Sequence, residues 1–285
     1  MTVGVYHRAE ATLGEGPCWD PALGALIWVD ILRRRVHVGD RTYETPEYVG
    51  AAVPRAGGGL LLAMGTGFAT LDPGDGGVEI VARVPADPAL IRMNDGKTDP
   101  AGRFWAGTMA FDETPGAGAL YRLDGPGAAT RMVETVTISN GLAWSLDGER
   151  MFYVDTPTRT IVQYEFDMET GALGRRSLLA DTSEHSGVPD GLAMDADGNL
   201  WVAFWNGAAV RCFSGADGAL LDEIPVPVTR PTSCAFGGPD LRQLLITSAR
   251  EGLTDADLAG QPLAGSVLVA EPGVAGLPPT PAICG

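Results

Sequence analysis

A repeated unit constrains this chain more than any other feature. A small-residue entry leads into a short apolar strand, then an Asp/Gly turn, then a second strand carrying an aromatic or large apolar anchor. It reads Cys18-Trp19-Asp20 followed by Leu26-Ile27-Trp28-Val29, and again Asp99-Pro100-Ala101-Gly102-Arg103-Phe104-Trp105. Further copies run from Leu142 to Val154 and from Leu192 to Trp201, and weaker ones centre on Leu61 and Leu245. The anchors Trp28, Leu61, Trp105, Tyr153, Trp201 and Leu245 are 33, 44, 48, 48 and 44 residues apart. Short strands punctuated by Gly, Pro, Asn and Asp at a period of roughly 40–50 residues are the mark of a β-propeller. One blade cannot bury both faces of its sheet, whereas six blades around an axis can. The sequence therefore predicts an all-β fold, a six-bladed β-propeller forming a single domain over 1–285. The first segment, Val3-Gly4-Val5-Tyr6, is expected to close the last blade beside Ser266–Val269, so that no sheet edge stays open there.

Composition narrows the class of partner. The chain has 36 Asp and Glu against 20 Lys and Arg, a formal charge of −16. That balance disfavours nucleic acid and anionic membrane surfaces as partners. The 39 Gly and 21 Pro argue against long helices and suit tight turns. The first ten residues contain no apolar run of signal-peptide length and no stretch is long enough to span a bilayer, so a soluble cytoplasmic protein is expected, as a monomer or small homo-oligomer. Cys18, Cys212, Cys234 and Cys284 are scattered and read as reduced.

In a propeller, residues just ahead of equivalent strands converge on one mouth of the central channel. Glu15, Asn140 and Thr232 each lie 13 residues before an anchor; Asn94 and Asp190 lie 11 before, a difference ascribed to tighter turns. Each of Asp95-Gly96, Asn140-Gly141 and Asp190-Gly191 is by itself an ordinary turn dipeptide. Their coincidence across blades points to a shared all-oxygen cluster. Clustered carboxylates are unfavourable unless a cation neutralises them, and hard divalent cations take such ligands. The three histidines show no metal-binding spacing, and no Gly-x-Ser-x-Gly elbow supports a serine nucleophile.

Gly14-Glu15-Gly16-Pro17, Arg92-Met93-Asn94-Asp95-Gly96-Lys97, Gly107-Thr108-Met109, Ser139-Asn140-Gly141, Pro189-Asp190-Gly191 and Thr247-Ser248-Ala249-Arg250 resemble the motifs of the gluconolactonase / senescence-marker-protein (regucalcin) family. The resemblance covers nearly the whole chain and implies a six-bladed propeller that hydrolyses a small-molecule sugar lactone with one divalent metal ion (Ca, Zn, Mn, Mg or Fe(II)). It implies metal ligation by Glu15, Asn140 and Asp190, sugar contacts from Arg92 and Asn94, and Asp190 as general base. Family members often place an acidic substrate contact just past Gly-Thr-Met. Here Ala110-Phe111-Asp112-Glu113 follows, so Asp112 is the candidate, with Glu113 as an alternative and Phe111 as a cover for a sugar face. Two other readings compete: a hydrolase of other esters or organophosphates on the same scaffold, and a non-enzymatic cation-binding propeller. The single lysine, Lys97, falls in the Asn94 motif and is placed at the same mouth, as either a loop support or a substrate contact. His185 is read as a loop residue.

Overall fold

The computed structural model describes residues 2–283. Cys284 lies outside them. Twenty-four strands form six four-stranded antiparallel sheets. The first strand is β1 (Gly4–His7). Blade 1 is β2 (Gly14–Asp20), β3 (Ala25–Asp30), β4 (Arg35–Val38) and β5 (Arg41–Glu44). Blade 2 is β6 (Val49–Pro54), β7 (Leu60–Met64), β8 (Gly67–Leu71) and β9 (Val78–Arg83). Blade 3 is β10 (Ile91–Thr98), β11 (Phe104–Ala110), β12 (Gly118–Gly125) and β13 (Ala128–Val136). Blade 4 is β14 (Ser139–Trp144), β15 (Arg150–Asp155), β16 (Thr160–Phe166) and β17 (Leu173–Asp181). Blade 5 is β18 (Val188–Met194), β19 (Asn199–Trp205), β20 (Ala209–Ser214) and β21 (Leu220–Pro225). Blade 6 is β22 (Pro231–Gly237), β23 (Gln243–Ser248) and β24 (Val267–Ala270), and β1 adds its outer strand, pairing Gly4 with Val269 and Val5 with Leu268. Among the described residues the one α-helix is the short α1 (Asp255–Gly260), and no helix is long and apolar enough to cross a membrane.

All six anchors fall on the second strand of a blade, each 3% exposed or less. They fill the space between neighbouring sheets, which is why the period is visible in sequence. The Asp/Gly turns are built alike. Asp99 Oδ1 accepts the Ala101 and Arg103 N–H groups, and its Oδ2 accepts Trp105 Nε1 at 3.0 Å. Asp195 does the same for Asp197, Asn199 and Trp201 Nε1, at 2.9 Å. A buried carboxylate thus closes the turn and satisfies the anchor's indole, which could not be buried unpaired without cost.

Every inner strand carries a register irregularity towards its start: Glu15/Cys18, Val49/Ala51, Met93/Gly96, Asn140/Leu142, Pro189/Leu192 and Pro231/Cys234. Bulges re-aim side chains and are frequent beside functional sites. They also correct one expectation. The turns between first and second strands span residues 21–24, 99–103, 145–149 and 195–198 in blades 1, 3, 4 and 5, so turn length does not separate the two offsets. Glu15 and Asn140 pair at the edge of their bulges, with Val29 and Val154, whereas Asn94 and Asp190 lie inside theirs.

The far end of the channel is crossed by the C-terminal segment. Ala275 O accepts from Ala196 N, Thr280 O accepts from Thr98 Oγ1 at 2.5 Å, and Ala282 bonds with Pro54 and Ala56. Between these anchors Leu277-Pro278-Pro279 roofs a cavity of about 380 Å³ that Trp19, Lys97, Trp144 and Phe236 help to line.

Candidate functional site

Glu15, Arg92, Asn94, Asn140 and Asp190 stand on four different inner strands, and each is only 4–6% exposed. Blade 2 contributes Gly50 at its bulge. A Cβ there would lie 1.9 Å from Asn94 O, so glycine is what lets the blade 3 backbone approach.

A chain of hydrogen bonds orients the amides. Arg92 Nη1 donates to Asn94 Oδ1 at 2.6 Å and to Met93 O at 3.0 Å. Asn94 Nδ2 donates to Ser139 O and to Asn140 Oδ1, each at 2.9 Å. Asn140 Nδ2 donates to Thr156 Oγ1 at 2.8 Å, and Thr156 Oγ1 donates to Pro189 O at 2.8 Å. Thr156 has spent its proton on Pro189, so it can only accept from Asn140. The Asn140 amide orientation is therefore fixed, and its carbonyl oxygen, which accepts only from Asn94 Nδ2, keeps a lone pair to spare.

The carboxylates are not balanced in the same way. Asp190 Oδ1 is buried and without a hydrogen-bond partner. Burial, then the charges of Glu15 and Asp95, hold the Asp190 carboxyl well above the usual range, although the Gly191 N–H and Arg92 pull the other way. Burial and Asp95 push Glu15 up from 4.5 to about 8, against the Gly16 N–H, which donates to Glu15 Oε2 at 2.9 Å, and Arg92. Burial depresses Arg92, whose charge is supported by Glu251, Glu15, Tyr48 and Asp190. Two buried acids, one of them with an orphaned oxygen, beside a fixed amide oxygen make a donor set of oxygens short of positive charge. That set suits a hard divalent cation. Among the described residues no three His, Cys, Asp or Glu side chains form a ligand group; the third candidate oxygen, from Asn140, belongs to an amide.

Two other residues differ from the sequence expectation, and Thr232, one residue into its bulge as Asn94 and Asp190 are in theirs, bonds between blades. Asp112 is engaged in its own exposed turn: its Oδ1 accepts Thr114 N at 3.1 Å and Thr114 Oγ1 at 2.7 Å. Lys97 is on the other side of the β10 bulge and lines the far cavity; its Nζ donates to Leu192 O at 2.5 Å. Thr232 is fully buried and ties blade 6 to blade 1, with Oγ1 donating to Gly14 O at 2.6 Å. His185 packs edge-on against Phe204 and Phe213. Burial raises the thiols of Cys18, Cys212 and Cys234 to about 12, so they are poor nucleophiles. Sequence reasoning missed Thr156. It lies after β15 in the one 3-10 turn among the described residues, outside the repeat, and carries no periodic signal.

Residues 13–250 match the SMP-30/Gluconolactonase/LRE-like region. Regucalcin of Danio rerio is 39% identical over 276 residues, covering 94% of this chain and 93% of that protein. A Bacillus subtilis protein named "Putative sugar lactone lactonase YvrE" is 35% identical over 277 residues, covering 95% of each. The crystal structure of regucalcin from Agrobacterium tumefaciens, described as a calcium-binding protein, superposes with a TM-score of 0.93 at 31% identity, covering 99% of this chain and 97% of that one. This six-bladed propeller belongs to the SMP-30/gluconolactonase/LRE-like family.

Proposed function

We propose that the protein is a metal-dependent lactonase that opens a sugar lactone to its sugar acid. One observation carries the reading most directly: the unpartnered, buried Asp190 Oδ1 stands at a channel mouth beside Glu15 and the oriented Asn140 amide. The family, which includes gluconolactonase by name, and the similarity to a Bacillus subtilis protein named for sugar lactone hydrolysis support the same substrate class.

Glu15, Asn140 and Asp190 would hold the cation. When bound, it supplies Lewis acidity, drawing electron density from the lactone carbonyl and easing loss of a proton from a nearby water. Calcium is the first ion to test, because the Agrobacterium relative is described as calcium-binding. The Asp190 carboxylate receives the proton of the attacking water and returns it to the ring oxygen as the C–O bond breaks. Arg92 holds the ring in place through guanidinium N–H groups beyond the Nη1 bonds to Met93 and Asn94. Both Asn94 N–H donors are occupied, so Asn94 offers substrate only its oxygen and acts chiefly by fixing Asn140. The product ionises at neutral pH, releasing one proton per turnover.

A pH-indicator assay of metal-stripped protein tests this. Single divalent cations are restored in turn over glucono-, xylono-, arabino- and galactonolactones. Cation-dependent acid release with at least one sugar lactone is expected, and Asp190→Ala should abolish it with the fold intact. Turnover that ignores both cation and Asp190 would overturn the assignment.

A further inference from the structure

Beside Arg92 stands a second acid, partly exposed and in contact with neither of its cationic neighbours. Glu251 follows β23 and is anchored by its backbone, with the N–H donating to Thr12 O at 2.8 Å. Its charged neighbours are Arg92, Arg230 and Glu113. Both arginines are held by other groups. Arg92 Nη1 is bonded to Met93 and Asn94. Arg230 lies over the Trp205 ring at 4.8 Å, donates from Nε to Asn206 Oδ1 at 2.9 Å, and rests against Gly252, where a Cβ would come within 2.6 Å of its Nη1. Among the described residues the half-buried Glu251 carboxylate accepts no hydrogen bond and makes no ion pair within 4.0 Å. It thus stands near two fixed guanidinium groups without touching either. Partly exposed, the carboxylate is open to solvent and so to the hydroxyls of a ligand.

Across Arg92, the mouth is apolar. Phe111 follows β11 two residues after Met109, which pairs with Arg92. Its ring is 42% exposed and meets Tyr48 edge-on, centroids 5.4 Å apart. Arg34 covers Tyr48 at 4.7 Å. Tyr48 is also among the groups interacting with the Arg92 charge.

We infer that Glu251 is a specificity-determining residue that accepts hydrogen bonds from neighbouring hydroxyls of the bound ring, while Phe111 and Tyr48 pack against its C–H surface. Two carboxylate oxygens can receive two adjacent hydroxyl protons. Burial raises the Glu251 carboxyl above its usual range, and the charges of Arg92 and Arg230 pull it back towards the ionised form; either form offers acceptor oxygens, and the aromatic pair suits the apolar face of a saturated ring. The ligand class is a polyhydroxylated five- or six-membered ring, selected over an unsubstituted ring of equal size. This rests on the lactonase reading for its natural substrate but not for the binding chemistry itself.

The test compares wild type, Glu251→Gln and Glu79→Gln on glucono-δ-lactone and δ-valerolactone, which share a ring but differ in hydroxyls. Glu251→Gln is expected to raise KM for glucono-δ-lactone about tenfold or more, with a smaller change in kcat. The kcat/KM ratio between the two lactones should fall by a similar factor. Glu79→Gln removes an exposed charge on the outer strand β9 and should leave that ratio in place. An unchanged ratio for Glu251→Gln, or an equal fall for both variants, overturns the inference. If wild type opens no sugar lactone with any of the divalent cations, the lactonase reading fails, and calorimetric binding of 1,5-anhydroglucitol decides the inference separately. Binding weakened about tenfold by Glu251→Gln upholds it; no binding to wild type, or equal binding, overturns it.

Discussion

Asn94 Nδ2 donates to Asn140 Oδ1 at 2.9 Å, joining the inner strands of blades 3 and 4 at the centre of the site. The same amide donates to Ser139 O, and its oxygen takes the Arg92 proton, so its orientation is fixed from three sides. Asn94 thereby determines which end of the Asn140 amide is presented to a cation. Residues that orient a ligand from behind typically contribute 10–100-fold to metal affinity. Asn94→Ala should weaken divalent-cation binding by about that factor, measured by calorimetry on metal-stripped protein. Unchanged cation affinity with a raised lactone KM would restrict Asn94 to substrate contact.

Asp190 and Glu15 oppose each other's ionisation, and Asp190 Oδ1 has no donor. Asp190→Asn removes one charge at nearly constant shape. The metal-free variant should melt above metal-free wild type. Saturating cation should then add little, whereas at 1,000 times Kd it adds about 4 kcal/mol to a wild-type protein with one site. Thermal melts with and without cation read both effects. A metal-free variant melting below wild type would mean that Asp190 is stabilising where it stands.

The Glu15 shift sets the pH dependence of the metal-free fold. Its carboxyl ionises near 8 when folded, against an ordinary 4.5. Below about 4.5 both states hold the proton and the stabilisation is fully present. Between 4.5 and 8 the unfolded chain has released a proton that the folded protein keeps, so stability falls as pH rises. Asp190 acts in the same direction. Metal-free melting temperature should therefore decline across that window, and Glu15→Gln should flatten the decline. Cation binding there should release protons, since the ligands must ionise.

Gly50 tests how far the site depends on blade 2, which supplies none of the proposed ligands. A Cβ at this position would lie 1.9 Å from Asn94 O and 2.7 Å from Asn94 C, both backbone atoms that cannot swing aside. Overpacking ordinarily costs about 1–3 kcal/mol, and a backbone clash belongs at the top of that range. Gly50→Ala should show that loss in urea unfolding, with weakened cation binding because Asn94 is displaced. A variant of wild-type stability would mean that the strands separate easily.

Much of this architecture was legible because it is repetitive. Trp105 and Trp201 recur with the same Asp/Gly turn, and that turn recurs because Asp99 and Asp195 each close it and bind the indole. The polar residues at the mouth were legible for the same reason, being fixed relative to the anchors. What the sequence hid is local and non-periodic. The bulges decide whether a residue pairs or projects, and no composition marks them. That is how two offsets looked like two turn lengths, and how Lys97 was assigned to the wrong end of the channel. Asp112 looked available because an exposed turn cap and a substrate contact have the same residue type. Thr156 and Glu251 sit in connections that the repeat does not constrain, and only their neighbours in space give them meaning.

Lys97 is the clearest case for measurement. Its Nζ donates to Leu192 O at 2.5 Å, and its charge lowers the buried Asp95 carboxyl, which burial otherwise raises. Asp95 in turn raises Glu15 and Asp190. The lysine therefore acts on the far side of the channel, as a structural counter-charge beneath the site. Lys97→Met keeps the length of the stem and removes the ammonium. It strands a backbone carbonyl and leaves a buried acid without its cation, a loss of about 2–3 kcal/mol for a partly buried group. Urea unfolding should show that loss, while the lactone KM stays near wild type because the side chain lines the opposite cavity. A large rise in KM with unchanged stability would return Lys97 to the substrate mouth.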